Sequence, residues 1–230
     1  MKKLLSMILL SVILAAGYTA LAEPCVLTVK GTGIVSMEPD TASITVGVRT
    51  TASDVVEAQT AVNQGIDAVI AKYLEMGVEK SDIYTSSISI YPDYDYMTGE
   101  PLSRYTAEND ITLTTKDMAG IGEYIDAAFE AGANLFGGIS FSASNVEQPQ
   151  AEALKLAIKQ AFSKAEVMSE CAGGTVGTLI SLSEAEYSYA ETGALYAKDE
   201  AAAAGGTTIY TAPLNVTATV TAQFELVTGD

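Results

Sequence analysis

Twenty-nine carboxylates and not one histidine set the chemistry open to this 230-residue chain. Without histidine there is no near-neutral general base, no Ser-His-Asp or Cys-His arrangement and no His-rich zinc site. No Ser or Thr stands three positions before a lysine, which removes the S-x-x-K nucleophile as well. What survives is carboxylate catalysis, in which one protonated and one ionised acid flank a scissile bond such as a glycosidic linkage. The spacing of the 29 acids singles out no such pair, so no catalytic residue is assigned.

Three local patterns invite more specific chemistry and lose it on inspection. Asp93, Asp95 and Glu100 crowd oxygen ligands into a short stretch, but their spacing misses the D-x-[DN]-x-[DN]-G calcium loop, and a solvated hairpin tip is the better reading. Gly31-Thr32-Gly33 looks like the start of a dinucleotide fingerprint, yet it lies within a strand pattern and leads into a Pro-Asp turn instead of a helix. Asn215-Val216-Thr217 is a formal glycosylation sequon that falls in a strand. No cofactor, metal or nucleotide is therefore expected.

Cys25 and Cys171 are the only cysteines, 146 positions apart. An oxidising compartment would let them pair, and closing so long a loop would remove about 5 kcal/mol of unfolded-chain entropy. The alternative is two buried, reduced thiols, and the sequence leaves both open.

The compartment itself is readable. Met1-Lys2-Lys3 is a basic start, Leu4–Ala16 an almost unbroken apolar run, and Ala20-Leu21-Ala22 the small-x-small pattern of a signal-peptidase site, which predicts a cleaved signal peptide over 1–22 and an exported chain with no integral span afterwards. Losing Lys2 and Lys3 takes the formal charge from −17 to −19, ten basic residues then facing 29 acidic ones. Such a surface repels phosphate backbones and anionic lipid, so nucleic acid and direct membrane binding are disfavoured.

The elements that must carry any site follow from periodicity. Strands are predicted over Val26–Met37, Thr41–Arg49, Ile83–Tyr91, Tyr105–Thr115, Phe136–Ser144, Thr178–Ala185 and Asn215–Val227, the last with Val216, Ala218, Val220, Ala222 and Phe224 on one face. Helices are predicted over about 53–76, 117–131 and 149–172. The first carries a stripe of Val55, Ala58, Val62, Ile66, Val69, Tyr73 and Met76 behind an Asp54/Glu57 capping box, and the third a stripe of Ala151, Leu154, Ile158, Ala161, Ala165, Met168 and Ala172. Residues Glu186–Thr208 break the pattern and read as a flexible insertion, with Tyr187, Tyr189 and Tyr196 as candidate contact residues. The fold class is α+β, mainly antiparallel sheet with three principal helices packed on it. Residues 23–230 form a single domain, or two interleaved subdomains.

Taken in order, the landmarks resemble the SIMPL-domain family, the group that includes the bacterial periplasmic immunogenic proteins. The match runs through Gly31-x-Gly33, Pro39-Asp40, Asp82-Ile83-x-Thr85, Pro92-x-Tyr94, Asn109, Gly132-Ala133-Asn134, Gly138-Ile139-x-Phe141, Gly173, and Gly177 through Glu184. These positions read as structural. The resemblance implies an envelope protein that assembles into a ring or channel-like homo-oligomer in some relatives and is linked to oxidative-stress tolerance, with no established catalytic residue. The combined expectation is a non-enzymatic binding or scaffolding protein with an envelope or extracellular protein partner, against the alternatives of a carboxylate-based hydrolase acting on cell-wall material and a small-ligand-capturing module.

Overall fold

Period-two alternation along the first and last strands makes them partners. In β1 (Val26–Met37) and β7 (Leu214–Thr228) every residue from Val26 to Met37 has an antiparallel neighbour, from Glu225 back to Leu214. The computed structural model describes residues 25–190 and 206–228. Between those strands the chain runs β2 (Thr41–Ala52), α1 (Val55–Glu75), a 3-10 turn at Lys80–Asp82, β3 (Ile83–Tyr94), β4 (Pro101–Thr115), α2 (Ile121–Glu130), β5 (Leu135–Ser142), α3 (Glu147–Cys171) and β6 (Gly174–Ala190). The strands form two antiparallel sheets, ordered β1-β7-β6 and β3-β4-β2-β5. The α+β class expected from the pattern is the one observed.

Each sheet buries one face under helices. On the four-stranded sheet, α1 and α2 cover Ile44, Val46 and Val48 of β2, Ile111 and Leu113 of β4, and Phe141 of β5. The α1 stripe falls as its spacing predicts from Ala58 through Val62, Ile66 and Val69 to Tyr73, all buried, while Val55 at its start is exposed. Asp54 caps that helix, its carboxylate accepting from the amides of Val56 at 2.8 Å and Glu57 at 3.2 Å. Each aliphatic side chain buried this way contributes about 1.5–3 kcal/mol against leaving it in water.

The three-stranded sheet is covered by α3 alone, and here the expected stripe needs correcting. The fully buried face is Ala153, Ala157, Ala161, Ala165 and Ser169; of the expected set Ala161 and Ala165 lie on it, Leu154 and Ile158 pack half-buried against the same core, and Met168 is 47 % exposed. The reason lies on β1. A Cβ at Gly31 would stand 2.0 Å from the Ala157 carbonyl oxygen, and one at Gly33 2.0 Å from that of Ala153. Helix and strand backbones touch along this seam, so only alanine fits on the helix side.

Three boundaries also move. The expected hairpin tip Pro92–Pro101 is strand at both ends, with Asp93 inside β3, and the turn reduces to Asp95–Glu100, where the Asp95 carboxylate accepts from the amides of Met97 and Thr98. Helix α2 starts at Ile121 instead of Asp117, whose carboxylate accepts from the Gly120 amide at 3.0 Å one turn earlier. Of the expected insertion, Glu186–Ala190 continues β6, pairing with Thr219 back to Asn215 of β7, and residues 191–205 lie outside the described residues. Thr207 is fastened to α2, its amide and hydroxyl both donating to the Asp126 carboxylate. Replacing all of Glu186–Thr208 with a short Gly-Ser linker is therefore expected to lower the melting temperature measurably, because it removes ladder pairs and the Asp126 contact. Thermal unfolding followed by circular dichroism checks this, and an unchanged midpoint would contradict it.

Candidate functional site

The helix-free face of the four-stranded sheet is a polar ladder built by the alternation of β2 and β4. Residues directly opposite one another pair chemically: Ser43 with Thr114, Thr45 with Thr112, Thr51 with Thr106, and Arg49 with Glu108. The Arg49 Nε donates to Glu108 at 2.6 Å, and the Tyr91 hydroxyl of β3 donates to the same carboxylate. The Arg49 guanidinium and then the Tyr91 hydroxyl hold the Glu108 carboxyl below its ordinary range. Beside them Asp93 accepts from Thr106 Oγ1 and from Arg104 Nε, each at 2.7 Å, and both bonds lower its pKa.

Asp110 behaves differently. A Cβ at its cross-strand partner Gly47 would meet the Asp110 carboxylate at 1.9 Å, so the acid lies over the space that glycine leaves. Burial, followed by the charge of Glu108, raises its pKa. The two acids stand two residues apart on one strand face with opposite shifts. This network was not read from the sequence because Arg49 and Glu108 lie 59 positions apart; the alternation of β4 marks its two faces but not that β2 lies beside it.

On the opposite face β3 overhangs the helices. Ile88 and Ile90 share the helix side with Asn109 and Ala107 by register, yet are 64 % and 36 % exposed. Asn109 is buried and its Oδ1 has no partner among the described residues; buried Tyr73, whose pKa burial raises, likewise has a hydroxyl without a partner among them.

The positions singled out in the sequence scatter over the molecule without converging on a pocket. Gly31 and Gly33 form the α3 seam. Pro39 and Asp40 make the β1–β2 turn, Asp82 ends the 3-10 turn, and Thr85, Pro92 and Tyr94 lie along β3. Gly132 and Gly173 follow α2 and α3 with φ of +111° and +75°. Asn134 accepts from the Arg49 amide at 2.7 Å and donates to its carbonyl at 2.8 Å, extending the β5–β2 ladder with a side chain. Gly138, at φ +118°, is where β5 slips register against β2, a backbone state other residues adopt only under strain. Phe141 is core, Gly177 packs on Val227 and Glu225 of β7, and Glu184 pairs with Val220. Tyr187 and Tyr189 belong to the β6 backbone, and Tyr196 lies outside the described residues. Cys25 and Cys171 are both exposed and unbonded, which corrects the picture of two buried thiols.

Asp40 has the best-defined structural role among these. Its carboxylate accepts from Ser144 Oγ, the Ser144 amide and Thr41 Oγ1, tying the β1–β2 turn to the end of β5. The hydrogen bond from Ser144 is the main cause of its lowered pKa. A folded-state pKa below the ordinary 3.8 means that its stabilisation is present above that pH and is lost as pH falls through the depressed value. Acid titration of Asp40→Asn followed by fluorescence should show weaker stability at neutral pH and a shallower loss below about pH 4. Parallel curves for the two proteins would contradict the assignment.

The model of the SIMPL family, a protein of unknown function (DUF541), matches residues 27–224, which reaches from the start of β1 into β7 and includes both sheets. The chain belongs to the SIMPL family. Among its relatives, the 26 kDa periplasmic immunogenic protein of Brucella melitensis biotype 1 is 28 % identical over 168 residues, which cover 70 % of this chain and 67 % of that protein. The uncharacterized protein YggE of Edwardsiella ictaluri is 27 % identical over 165 residues, 69 % of this chain and 67 % of that one. The Escherichia coli K12 YggE is 26 % identical over 145 residues, 62 % and 58 % respectively, so the match spans little more than half of that relative. The SIMPL assignment accounts for the order in which the glycine and Pro-Asp landmarks occur. No helix among the described residues is long and apolar enough to cross a membrane.

Proposed function

We propose that this SIMPL chain is an exported cell-envelope protein that binds and scaffolds without catalysing a reaction, and that it works as a homo-oligomer. The observation that carries this reading is a set of exposed apolar side chains on two edge strands. Ile88, Ile90, Leu179 and Leu182 are between 36 % and 64 % exposed, all on edge strands β3 and β6 beyond the reach of the helices. Exposed apolar groups gathered at sheet edges are what association uses. The periplasmic name of the Brucella relatives and the signal-peptide pattern support an envelope location, and the stress link rests on the family resemblance alone. Size-exclusion chromatography with light scattering on residues 23–230 tests the reading: the mass should exceed that of one subunit, and a single-subunit mass at every concentration would remove the scaffold.

One observation favours the hydrolase alternative, namely that Glu108 and Asp110 lie on one face with their pKa values pushed apart. Against it, Glu108 is committed to Arg49 and Tyr91, and the pair sits on an open sheet face. A glycan and peptide hydrolysis screen distinguishes the two readings, since turnover lost in Asp110→Asn would replace the scaffold with an enzyme. The ligand-capturing alternative would use a surface groove such as the one of about 290 Å³ along α3 lined by Gln160, Ser163, Lys164, Val167 and Met168.

A further inference from the structure

Two sheets have four edges, and among the described residues three of them are obstructed. Along β1 the seam brings α3 so close that its side chains occupy the edge: Gln160 Oε1 accepts from the Thr32 amide at 2.8 Å, and Lys164 Nζ donates to the Lys30 carbonyl at 2.9 Å. Strand β5 has eight residues and slips register at Gly138. Strand β6 slips between Val176 and Leu179, Leu179 and Ser181, and Glu184 and Glu186. Bulges, short length and occupied main-chain groups are the devices that keep an edge from pairing.

Strand β3 slips against β4 only towards its ends, between Thr85 and Ser87 and between Pro92 and Tyr94. Its register with β4 is unbroken from Ser87 to Pro92, and among the described residues no side chain bonds the backbone of that run. No residue from Ile83 to Pro92 is charged, in a chain whose formal net charge is −17. Ile88 and Ile90 lie exposed on its helix side.

We propose that β3 is a self-pairing edge, through which a second copy of this chain adds antiparallel about a two-fold axis at Ser89. The proposal rests on the self-association reading above and names its site. Pairing about Ser89 sets Ile88 of one copy against Ile90 of the other, so that four isoleucines cluster on one face beside the two copies of α1. Asp93, the nearest charge beyond the run, then faces Thr85, so no two carboxylates stand opposite one another. Two acidic copies repel through their charged surfaces, and β3 is an edge on which they can meet without opposing charges. A basic peptide, which the net charge would otherwise attract, finds no carboxylate on β3 between Ile83 and Pro92. The same two-fold would join the two four-stranded sheets into one of eight strands.

Ser89→Cys in a Cys25→Ser/Cys171→Ser background tests the register. Residues directly opposite across an antiparallel pair have Cα atoms about 4.5–5.5 Å apart, within disulfide reach. Mild oxidation should convert most of the protein to a covalent dimer, whereas Thr85→Cys, which would face Asp93, should stay mostly uncrosslinked. Circular dichroism confirms that both variants fold. If Ser89→Cys stays uncrosslinked while light scattering still finds an assembly, the β3 site is overturned and self-association stands on another surface. If the background protein is a single subunit at every concentration, the self-association reading falls and takes the site with it. Equal crosslinking at Ser89→Cys and Thr85→Cys would overturn the antiparallel register.

Discussion

Gly33→Ala should destabilise the protein by about 3 kcal/mol or more, although it adds a single methyl group to a strand. The new Cβ would stand 2.0 Å from the Ala153 carbonyl oxygen, 2.6 Å from the Ala157 amide nitrogen and 2.7 Å from the Leu156 Cβ. Two of the three obstacles are helix backbone, which cannot rotate aside as a side chain would. Relief requires α3 to lift from β1, opening the seam of buried alanines that runs from Ala153 to Ala165. For a domain of this size that cost corresponds to a melting-point drop of about 6–12 °C. Thr32→Ala is the matched control, because Thr32 faces away from the seam and its bond to Gln160 uses the backbone amide; its effect should stay within about 0.5 kcal/mol. Urea unfolding of the two variants separates them, and a Gly33→Ala midpoint as close to the parent as that of Thr32→Ala would mean that helix and strand are not in backbone contact.

The second large effect concerns assembly. Ile88→Lys/Ile90→Lys should reduce the self-associated mass to that of one subunit at concentrations where the parent is multimeric. Both side chains are exposed in the single chain, so the fold should tolerate the change, and lysine on an edge strand is a common guard against pairing. The sign of the charge change makes the result diagnostic. Each lysine makes the chain less acidic, so if net-charge repulsion alone governed association the variant would associate more strongly than the parent. Weaker association can then come only from the loss of the β3 contact. Native mass spectrometry reads the outcome directly.

How much of this was legible beforehand varies with the distance over which each feature is set. Strand β1 and the stripe on α1 are local patterns, and β1 and the buried face of α1 from Ala58 to Tyr73 fall where alternation and capping place them. The face of α3 was read off-centre: Leu154 and Ile158 pack half-buried at the margin of the core and Met168 is exposed. The true constraint came from Gly31 and Gly33, more than a hundred residues away, which admit only alanine. The same two glycines had looked like a fragment of a nucleotide motif, and the helix backbone lying on them gives them a packing role. The Arg49–Glu108–Tyr91 network and the free edge of β3 were out of reach for a related reason: alternation says which face a residue takes, but not which strand lies beside it. Family membership was legible from the spaced landmarks, since those are the residues that turns and close approaches restrict.

Sedimentation velocity of the parent chain over residues 23–230, run across a wide concentration range beside Ile88→Lys/Ile90→Lys, tests the central claim most directly. The account predicts that the parent sediments as an assembly of two or more subunits and the variant as a single one, with both fully folded. A parent that sediments as one folded subunit throughout would contradict it.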